Sequence, residues 1–293
     1  MLPHDALLAL RFEPRSCVWS ERDVMLYALG VGMCPDGLDG RELDFVTEWR
    51  LRVMPSFATA LALNAMPTAR DFQCDPVQLL HASQGLTLHR PIPPSGSAVA
   101  HSRIVSALDK GARGAVLTVE TRLVDAADGA PLATLEGVMF ALDGGGIGGP
   151  GVSGKGPAAS PPAVPDRAPD ASVMMTTRPD QALLYRLVGD RNPLHADPDE
   201  ARRVGFERPI LHGLCTYGIG MRAVLATMAD YRPERVAAYS IRFAGPVFPG
   251  DALCFDLWRD GDIVLLEARV PVRDAVVLRG GVAHLVEAGL VEG

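Results

Sequence analysis

Residues 189–198 read Gly-Asp-Arg-Asn-Pro-Leu-His-Ala-Asp-Pro, a polar stretch in a largely aliphatic chain. Two interpretations fit this stretch. Asp197 followed by Pro198 is typical of a helix start, where an Asp side chain caps the first turn and proline takes the first helical position. Asp190 and His195 could instead form an acid–base pair, because a carboxylate and an imidazole can exchange a proton near neutral pH.

The composition indicates a folded protein with a large core. The chain has 293 residues, of which 48% are hydrophobic and 22% charged, and its net charge is -7. A phosphate backbone requires clustered Lys and Arg, which an acidic chain with two lysines does not supply. No window is apolar over the roughly 18 residues that a membrane span needs. We therefore expect neither nucleic acid nor a membrane as a partner.

Five scattered cysteines, an odd number without a CxxC pair, predict reduced thiols and neither disulfides nor a zinc site. The N-terminal residues 1–10 carry no basic segment of the kind that opens a signal peptide. Both features favour a cytoplasmic location.

Residues 143–172 are dominated by Gly, Pro, Ala and Ser and predict a linker between an N-terminal module, 1–142, and a C-terminal module, 173–293. Residues 144–149 imitate a dinucleotide-binding glycine pattern, and residues 149–155 imitate a phosphate loop. Both motifs need a helix to follow, and prolines stand there instead.

The two modules resemble each other. Residues 27–35 align with 185–193, which pairs tyrosine with tyrosine and proline with proline, and residues 55–66 align with 209–220. Each module reads as a short helix, an irregular segment, a long apolar helix and several strands, so the predicted class is α+β, with a long helix on an antiparallel sheet. Two such sheets can join edge to edge. Strands are predicted at 97–108, 115–125, 132–142, 237–243, 253–258, 263–270 and 275–284.

The ionisable residues occur in only one copy of the repeat. A loop that is polar only for solubility should be polar in both modules, so the difference favours one working site in the second module and one emptied site in the first. The alignment places Gly32 opposite Asp190, Cys34 opposite Asn192, Gly37 opposite His195 and Ala58 opposite His212.

Residues 185–198, followed by Pro-Ile-Leu-His-Gly-Leu-Cys-Thr-Tyr-Gly at 209–218, resemble the motif of MaoC-like (R)-specific 2-enoyl-CoA hydratases of the two-module hydratase-2 type. Residues 80–84, Leu-His-Ala-Ser-Gln, and residues 243–250 also have counterparts, so the resemblance covers most of the chain. It implies a double hot-dog fold, in which a degenerate first module shapes the acyl pocket and the second module is catalytic.

The reaction that the resemblance implies is reversible syn addition of water to a trans-2-enoyl-CoA, giving an (R)-3-hydroxyacyl-CoA. No metal or redox cofactor is expected, since coenzyme A is part of the substrate. Asp190 and His195 would hold the water and transfer the proton, and Asn192 would orient them. Gly213, at the start of the long apolar helix, would donate its N–H to the thioester oxygen.

Four further residues are candidates for substrate binding, and each has a structural alternative. Tyr185 and His212 could equally be packing residues, Asp197 a helix cap, and Arg208 a solvated side chain that would otherwise meet the phosphates of coenzyme A. His195, His212 and Asp190 could be drawn as metal ligands, but their spacing matches no zinc motif, and no metal is predicted.

Two other functions remain open on the sequence alone. Hot-dog folds also serve acyl-CoA thioesterases, and a non-catalytic acyl-CoA-binding subunit would need only the pocket. A homodimer is the expected assembly, because the predicted sheets still present edges.

Overall fold

A computed structural model describes residues 1–149 and 163–287. Its ten strands form one sheet in which every neighbouring pair is antiparallel. The strands are β1 Arg15–Trp19, β2 Leu79–Leu88, β3 Gly96–Asp109, β4 Ala115–Asp125, β5 Pro131–Ala141, β6 Ala171–Thr176, β7 Val236–Phe243, β8 Ala252–Asp260, β9 Ile263–Val270 and β10 Ala275–Leu285.

The order of the strands repeats between the two halves of the sheet. The full order is β1-β3-β4-β5-β2-β7-β10-β9-β8-β6, so each half runs from its first strand at the outer edge to the strand that meets the other half. At the centre, β2 pairs with β7, from Ser83 opposite Arg242 to Thr87 opposite Ala238. The expected edge-to-edge joining of two modules is therefore confirmed.

The seven strands expected from the sequence are all present, and three more were missed. The edge strands β1 and β6 are only five and six residues long and mostly exposed or half-buried, so their sequences give too short a pattern to indicate a strand. Strand β2 is poor in β-branched residues and contains a glycine. This last omission matters most, because β2 joins the two modules.

Eight α-helices lie on the described part of the chain, and none of them is both long and apolar enough to cross a membrane. They are α1 His4–Ala9, α2 Glu21–Gly30, α3 Gly40–Leu43, α4 Phe57–Ala62, α5 Ala69–Phe72, α6 Gln181–Tyr185, α7 Pro198–Arg203 and α8 Gly213–Thr227.

Only the second module has a long helix, so the expectation of one in each module was wrong for the first. Helix α4 ends at Ala62 and continues only as a 3-10 turn, Leu63–Ala65. Pro67 explains this difference, because proline disfavours helical geometry in the residue before it, and Met66 is indeed extended.

Helix α8 is buried around most of its circumference and packs between the two modules. Its two internal glycines allow this close approach. A Cβ on Gly218 would collide with Val31 and the Tyr27 hydroxyl of the first module, and a Cβ on Gly220 would collide with the Tyr239 hydroxyl on β7.

The glycine-rich residues 143–149, expected to belong to the linker, pack on the first module instead. The Asp109 carboxylate accepts N–H bonds from Gly111, Gly146 and Gly148 at 2.7, 3.1 and 3.0 Å, and these bonds hold the pKa of Asp109 below its usual value. The N–H groups that would cradle a phosphate therefore already have an anionic partner. Residues 150–162 of the expected linker, including Lys155, lie outside the described residues, and the division at 142 and 173 stays a prediction.

A buried ion pair ties α3 to α8. Glu42 and Arg222 are 4% and 9% exposed, and the Arg222 guanidinium donates to Glu42 Oε1 at 3.0 and 3.1 Å. The Tyr231 hydroxyl and the Cys34 N–H also donate to this carboxylate, so it is well satisfied.

Replacement of Glu42 by Gln should lower the free energy of unfolding by about 3–5 kcal/mol, because it leaves the Arg222 charge buried without its partner. The matched control is Glu234→Gln, which breaks an exposed pair with Arg232 and should cost at most about 1 kcal/mol. Urea denaturation measures both values, and equal effects of the two substitutions would contradict the prediction.

Candidate active site

The loop between α6 and α7 carries Asp190 and His195. Gly189 turns the chain with φ 139°, a conformation that favours glycine, and lies against Leu63 of the first module. The Asp190 carboxylate then accepts the Asn192 N–H at 3.2 Å, and the Asn192 side chain accepts the Leu194 N–H at 3.1 Å. These two bonds fix the loop locally, as expected for Asn192.

His195 is held with one ring nitrogen engaged. Its Nδ1 lies 2.9 Å from the Ile210 carbonyl, an acceptor, so the neutral ring carries its proton on Nδ1 and leaves the Nε2 lone pair available. Burial lowers the pKa of His195 below its usual value, against the opposing effects of the Ile210 carbonyl and the Asp190 charge. The ring is therefore a neutral potential base at pH 7.

Asp190, His195 and His212 form a compact cluster. One side-chain oxygen or nitrogen atom from each lies within 4.8 Å of the others. This separation allows one water molecule to hydrogen-bond to both Asp190 and His195, since each such bond spans about 2.8 Å. The sequence motif thus brings its two principal residues within reach of one shared water.

His212 contacts both of the other members of this cluster. It is 1% exposed, its Nε2 lies 3.1 Å from the Asp190 carbonyl, and its ring packs on that of His195 with 3.8 Å between centroids. Burial, together with the neighbouring His195, lowers the pKa of His212 to about 3. A neutral His212 at physiological pH therefore positions both Asp190 and His195.

Gly213 lies at the N-terminus of α8, next to His212. The first backbone bonds of the helix come from the Cys215 and Thr216 N–H groups to the His212 carbonyl, so the Gly213 N–H precedes them and faces outward from the helix end. The Phe243 ring lies 3.4 Å from the place where a Cβ on Gly213 would be. Because Gly213 has no side chain, none of its own atoms hinders the approach of a ligand oxygen to its N–H.

The three remaining candidates, Tyr185, Asp197 and Arg208, make other contacts. Tyr185 is 2% exposed and packs on Tyr27 and on His212, with centroids 6.2 and 4.9 Å away. The Asp197 carboxylate caps α7 through the N–H groups of residues 199 and 200. Arg208 lies over the Phe248 ring at 4.9 Å and donates to the Pro249 carbonyl.

One residue beside the site was given no role by sequence reasoning. His81, on β2, packs edge-on against Phe243 with centroids 5.1 Å apart, and the charge of Asp190 affects its pKa. Its segment was noticed only as part of a family resemblance. Because β2 was not predicted as a strand, nothing in the sequence indicated that His81 would face the second module.

A narrow cavity lies close to His81 in the first module, since Gly137, one of its lining residues, neighbours His81 Nε2. It lies between α4 and the sheet, and at about 10 Å³ it has the room that a single water needs. A much larger depression, of about 660 Å³, lies along β3, β4 and β5 and does not include the histidine cluster. The cavity is lined by Thr59, Ala62, Met66, Gln84, Val119, Thr121, Leu135 and Gly137.

The cluster is compact enough for a cation, but its geometry does not suit one. The two imidazole rings lie only 30° from parallel, so their in-plane lone pairs run side by side and do not converge. In addition, Nδ1 of His195 and Nε2 of His212 already contact backbone carbonyls. The arrangement fits an acid–base site better than a metal centre.

Two modules, each with helices packed on one half of a shared sheet, define a double hot-dog fold. The loop of the second module that carries Asp190 and His195 places the protein in the hydratase and dehydratase class of this fold. The MaoC like domain matches residues 161–277, and the MFE-2 hydratase 2 N-terminal domain matches residues 18–143. The chain therefore belongs to the MaoC-like dehydratase family, in the form that carries a hydratase 2 N-terminal domain.

Similar proteins support this membership over the whole chain. Enoyl-CoA hydratase ChsH3 of Mycobacterium tuberculosis is 40% identical over 95% of this chain and 96% of its own length. The peroxisomal enoyl-CoA hydratase 2 of Arabidopsis thaliana is 36% identical over 94% and 93% of the two chains. A MaoC-like dehydratase from Phytophthora capsici has a solved structure with TM-score 0.84 and 29% identity, covering 97% of this chain and 99% of that one.

The buried neutral histidines predict how stability depends on pH. In the unfolded chain His212 titrates near 6.5, whereas in the folded protein its pKa is about 3. Between these values the unfolded chain binds the extra proton, so stability falls as the pH falls below 6.5. Protonation of His212 in the unfolded chain should by itself lower the free energy of unfolding by about 2 kcal/mol between pH 7 and pH 5.

Urea unfolding at pH 7, 6 and 5 measures this dependence. In His212→Gln the dependence should be weaker by that amount, whereas in His89→Gln, which changes an exposed histidine, it should be as in the native chain. A native protein whose stability is constant from pH 7 to pH 5 would contradict the prediction.

Proposed function

We propose that the protein is an enoyl-CoA hydratase that adds water reversibly to trans-2-enoyl-CoA and forms (R)-3-hydroxyacyl-CoA. The observation that carries the proposal is the proximity of Asp190 and His195, whose side-chain polar atoms lie within 4.8 Å of each other and of His212, the residue before the N-terminus of α8. The near full-length relatives named as enoyl-CoA hydratases and as a 3-hydroxyacyl-thioester dehydratase support it.

In the proposed reaction, His195 removes a proton from the bound water while Asp190 accepts its other hydrogen bond. The water oxygen forms a bond to Cβ as the Cα–Cβ double bond opens, and the electrons move towards the thioester oxygen. The same proton then passes from His195 to Cα. One water therefore supplies both the hydroxyl group and the new hydrogen, and both arrive on the same face of the alkene.

The Gly213 N–H stabilises the charge that develops on the thioester oxygen. A hydrogen-bond donor fixed at the N-terminus of α8, in a site largely shielded from water, stabilises this enolate more than it stabilises the neutral thioester. The Phe243 ring beside Gly213 excludes water from that position.

Asp190→Asn and His195→Gln should each lower kcat for hydration of trans-2-hexenoyl-CoA by about 10²- to 10⁴-fold, the usual contribution of positioned proton transfer. The matched control is Asp199→Asn, which changes an exposed carboxylate on α7 and should retain activity. Loss of the enoyl-thioester absorbance measures the rate. Normal turnover by either site variant would refute the assignment.

An acyl-CoA thioesterase is the alternative function from the same fold. A solved structure described as a putative oleoyl thioesterase of Lactobacillus plantarum is only 10% identical, so its likeness to this chain is one of fold alone. Thioesterase activity would release free coenzyme A, which a thiol reagent detects, whereas hydration releases none. A non-catalytic acyl-CoA-binding subunit would show neither reaction.

For coenzyme A, we propose a contact between its phosphates and Arg208. Arg208 and Arg273 lie on the Phe248 ring, 4.9 and 5.1 Å from its centroid, close in sequence to Ile210, which holds His195. The Asp251 carboxylate pairs with Arg273, whereas Arg208 forms only an exposed pair with Glu207, for which a phosphate would compete.

Arg208→Gln should raise KM for enoyl-CoA by about 5- to 10-fold, with little change in kcat, because it removes an exposed contact to a phosphate far from the reacting carbons. With the corresponding pantetheine thioester, which lacks those phosphates, the same variant should match the native protein. The control is Arg202→Gln, which changes an exposed arginine on α7 and should leave KM as in the native protein. An unchanged KM for enoyl-CoA would exclude this contact.

We further propose a homodimer that works in the cytoplasm without a metal or redox cofactor. Strands β1 and β6 each keep one edge free of pairing among the described strands, and all five cysteines are free thiols. Light scattering tests the assembly, where a monomer would contradict the dimer. Activity that survives prolonged dialysis against a chelator is expected, and its loss would contradict metal independence.

A further inference from the structure

We propose that His81 is a substrate-binding residue that hydrogen-bonds to an oxygen atom on the acyl chain. The preferred substrates are then enoyl-CoA thioesters whose acyl group carries a hydroxyl or carbonyl oxygen several carbons beyond Cβ. This inference rests on the proposed hydratase function and identifies its substrate class.

The first observation is an unpaired nitrogen. His81 Nε2 is buried and has no hydrogen-bond partner among the residues that the structure describes. Buried polar atoms in native proteins are almost always paired, because leaving one unpaired costs free energy. An unpaired nitrogen beside a reaction site is therefore expected where a ligand supplies the partner.

The second observation is the position of His81 Nε2, which lies next to the cavity of the first module. The place where a Cβ on Gly137 would be lies 3.7 Å from His81 Nε2, and it lies 3.4 and 3.5 Å from the methyl groups of Met66 and Met139. Gly137 and Met66 both line the cavity of the first module. His81 Nε2 is thus a polar atom at the border of that cavity, among thioether methyl groups that can move aside for a chain.

His81 is linked by contacts both to the proposed oxygen donor and to the cavity. Its ring contacts Phe243, and the Phe243 ring lies 3.4 Å from the place where a Cβ on Gly213 would be. We place the acyl chain with its thioester at Gly213 and Cβ beside Asp190, so that a part of the chain beyond Cβ meets His81. An oxygen atom there could pair with Nε2, whereas a plain hydrocarbon would leave Nε2 unpaired.

The burial of His81 and the charge of nearby Asp190 indicate which oxygen-containing groups His81 can bind. Burial lowers the pKa of His81 to about 4, although the Ser83 backbone, the Gln84 side chain and the negative charge of Asp190 all act in the opposite direction. A neutral imidazole can donate to a carbonyl or pair with a hydroxyl. A carboxylate on the chain would meet no cation at His81 and would be repelled by Asp190, so dicarboxylic substrates are disfavoured.

The test compares kcat/KM for trans-2-hexenoyl-CoA with that for its 5- and 6-hydroxy derivatives, and kcat/KM for trans-2-octenoyl-CoA with that for its 5-, 6- and 7-hydroxy derivatives. For the native protein, at least one hydroxylated substrate should be preferred over its plain counterpart by about 10-fold, the effect of pairing one otherwise unpaired buried group. Each ratio uses one enzyme preparation, so a general loss of activity cancels.

Three variants assign the preference to His81. His81→Leu should reduce the ratio to about 1, and His81→Gln, which keeps a donor nitrogen at a similar reach, should restore part of it. His89→Leu, an exposed histidine just beyond the end of β2, should keep the native ratio.

The outcomes separate this inference from the proposed function. If the native protein hydrates the plain chains but prefers none of the hydroxylated ones, a water molecule pairs with Nε2 and the inference is wrong. A preference that survives in His81→Leu also overturns it. If neither kind of enoyl-CoA is hydrated, the proposed function itself fails.

Discussion

The pairing of β2 with β7 is the contact on which the site depends. It merges two five-stranded halves into one sheet and allows α8 of the second module to pack against the first. It also brings His81 of the first module to Phe243 of the second. Neither module alone contains the acid–base pair, the helix N-terminus and the cavity, so the reaction site exists only where the two modules meet.

The repeat explains why the chain has one site and not two. In the first module, glycines and a cysteine stand opposite Asp190, Asn192 and His195. Beside that emptied loop, the structure places the buried Glu42–Arg222 pair, whose guanidinium lies near Gly32. A pair of side chains that stabilises the fold thus lies beside the first module's loop, whereas the second module's loop carries the Asp190 and His195 cluster. The first module contributes the cavity instead.

Features that depend on neighbouring residues in the sequence could be predicted, whereas features that depend on pairing between distant strands could not. The proximity of Asp190 and His195, the Asp197 cap and seven strands could be predicted because short motifs and alternation encode them, whereas the catalytic roles of the loop residues stay predictions. The length of α4 and the packing of residues 143–149 were mispredicted, since Pro67 and the Asp109 carboxylate act there on particular neighbours. His81 gave no local signal, because its position depends on strand β2.

The central claim is that one water, held between Asp190 and His195, supplies both new groups to one face of the alkene. The most direct measurement is hydration of trans-2-hexenoyl-CoA in D₂O, followed by determination of the configuration at Cα and Cβ by NMR. The account predicts a single diastereomer in which deuterium and hydroxyl have added to the same face. Addition to opposite faces, or a mixture of diastereomers at Cα from the first turnover, would contradict it.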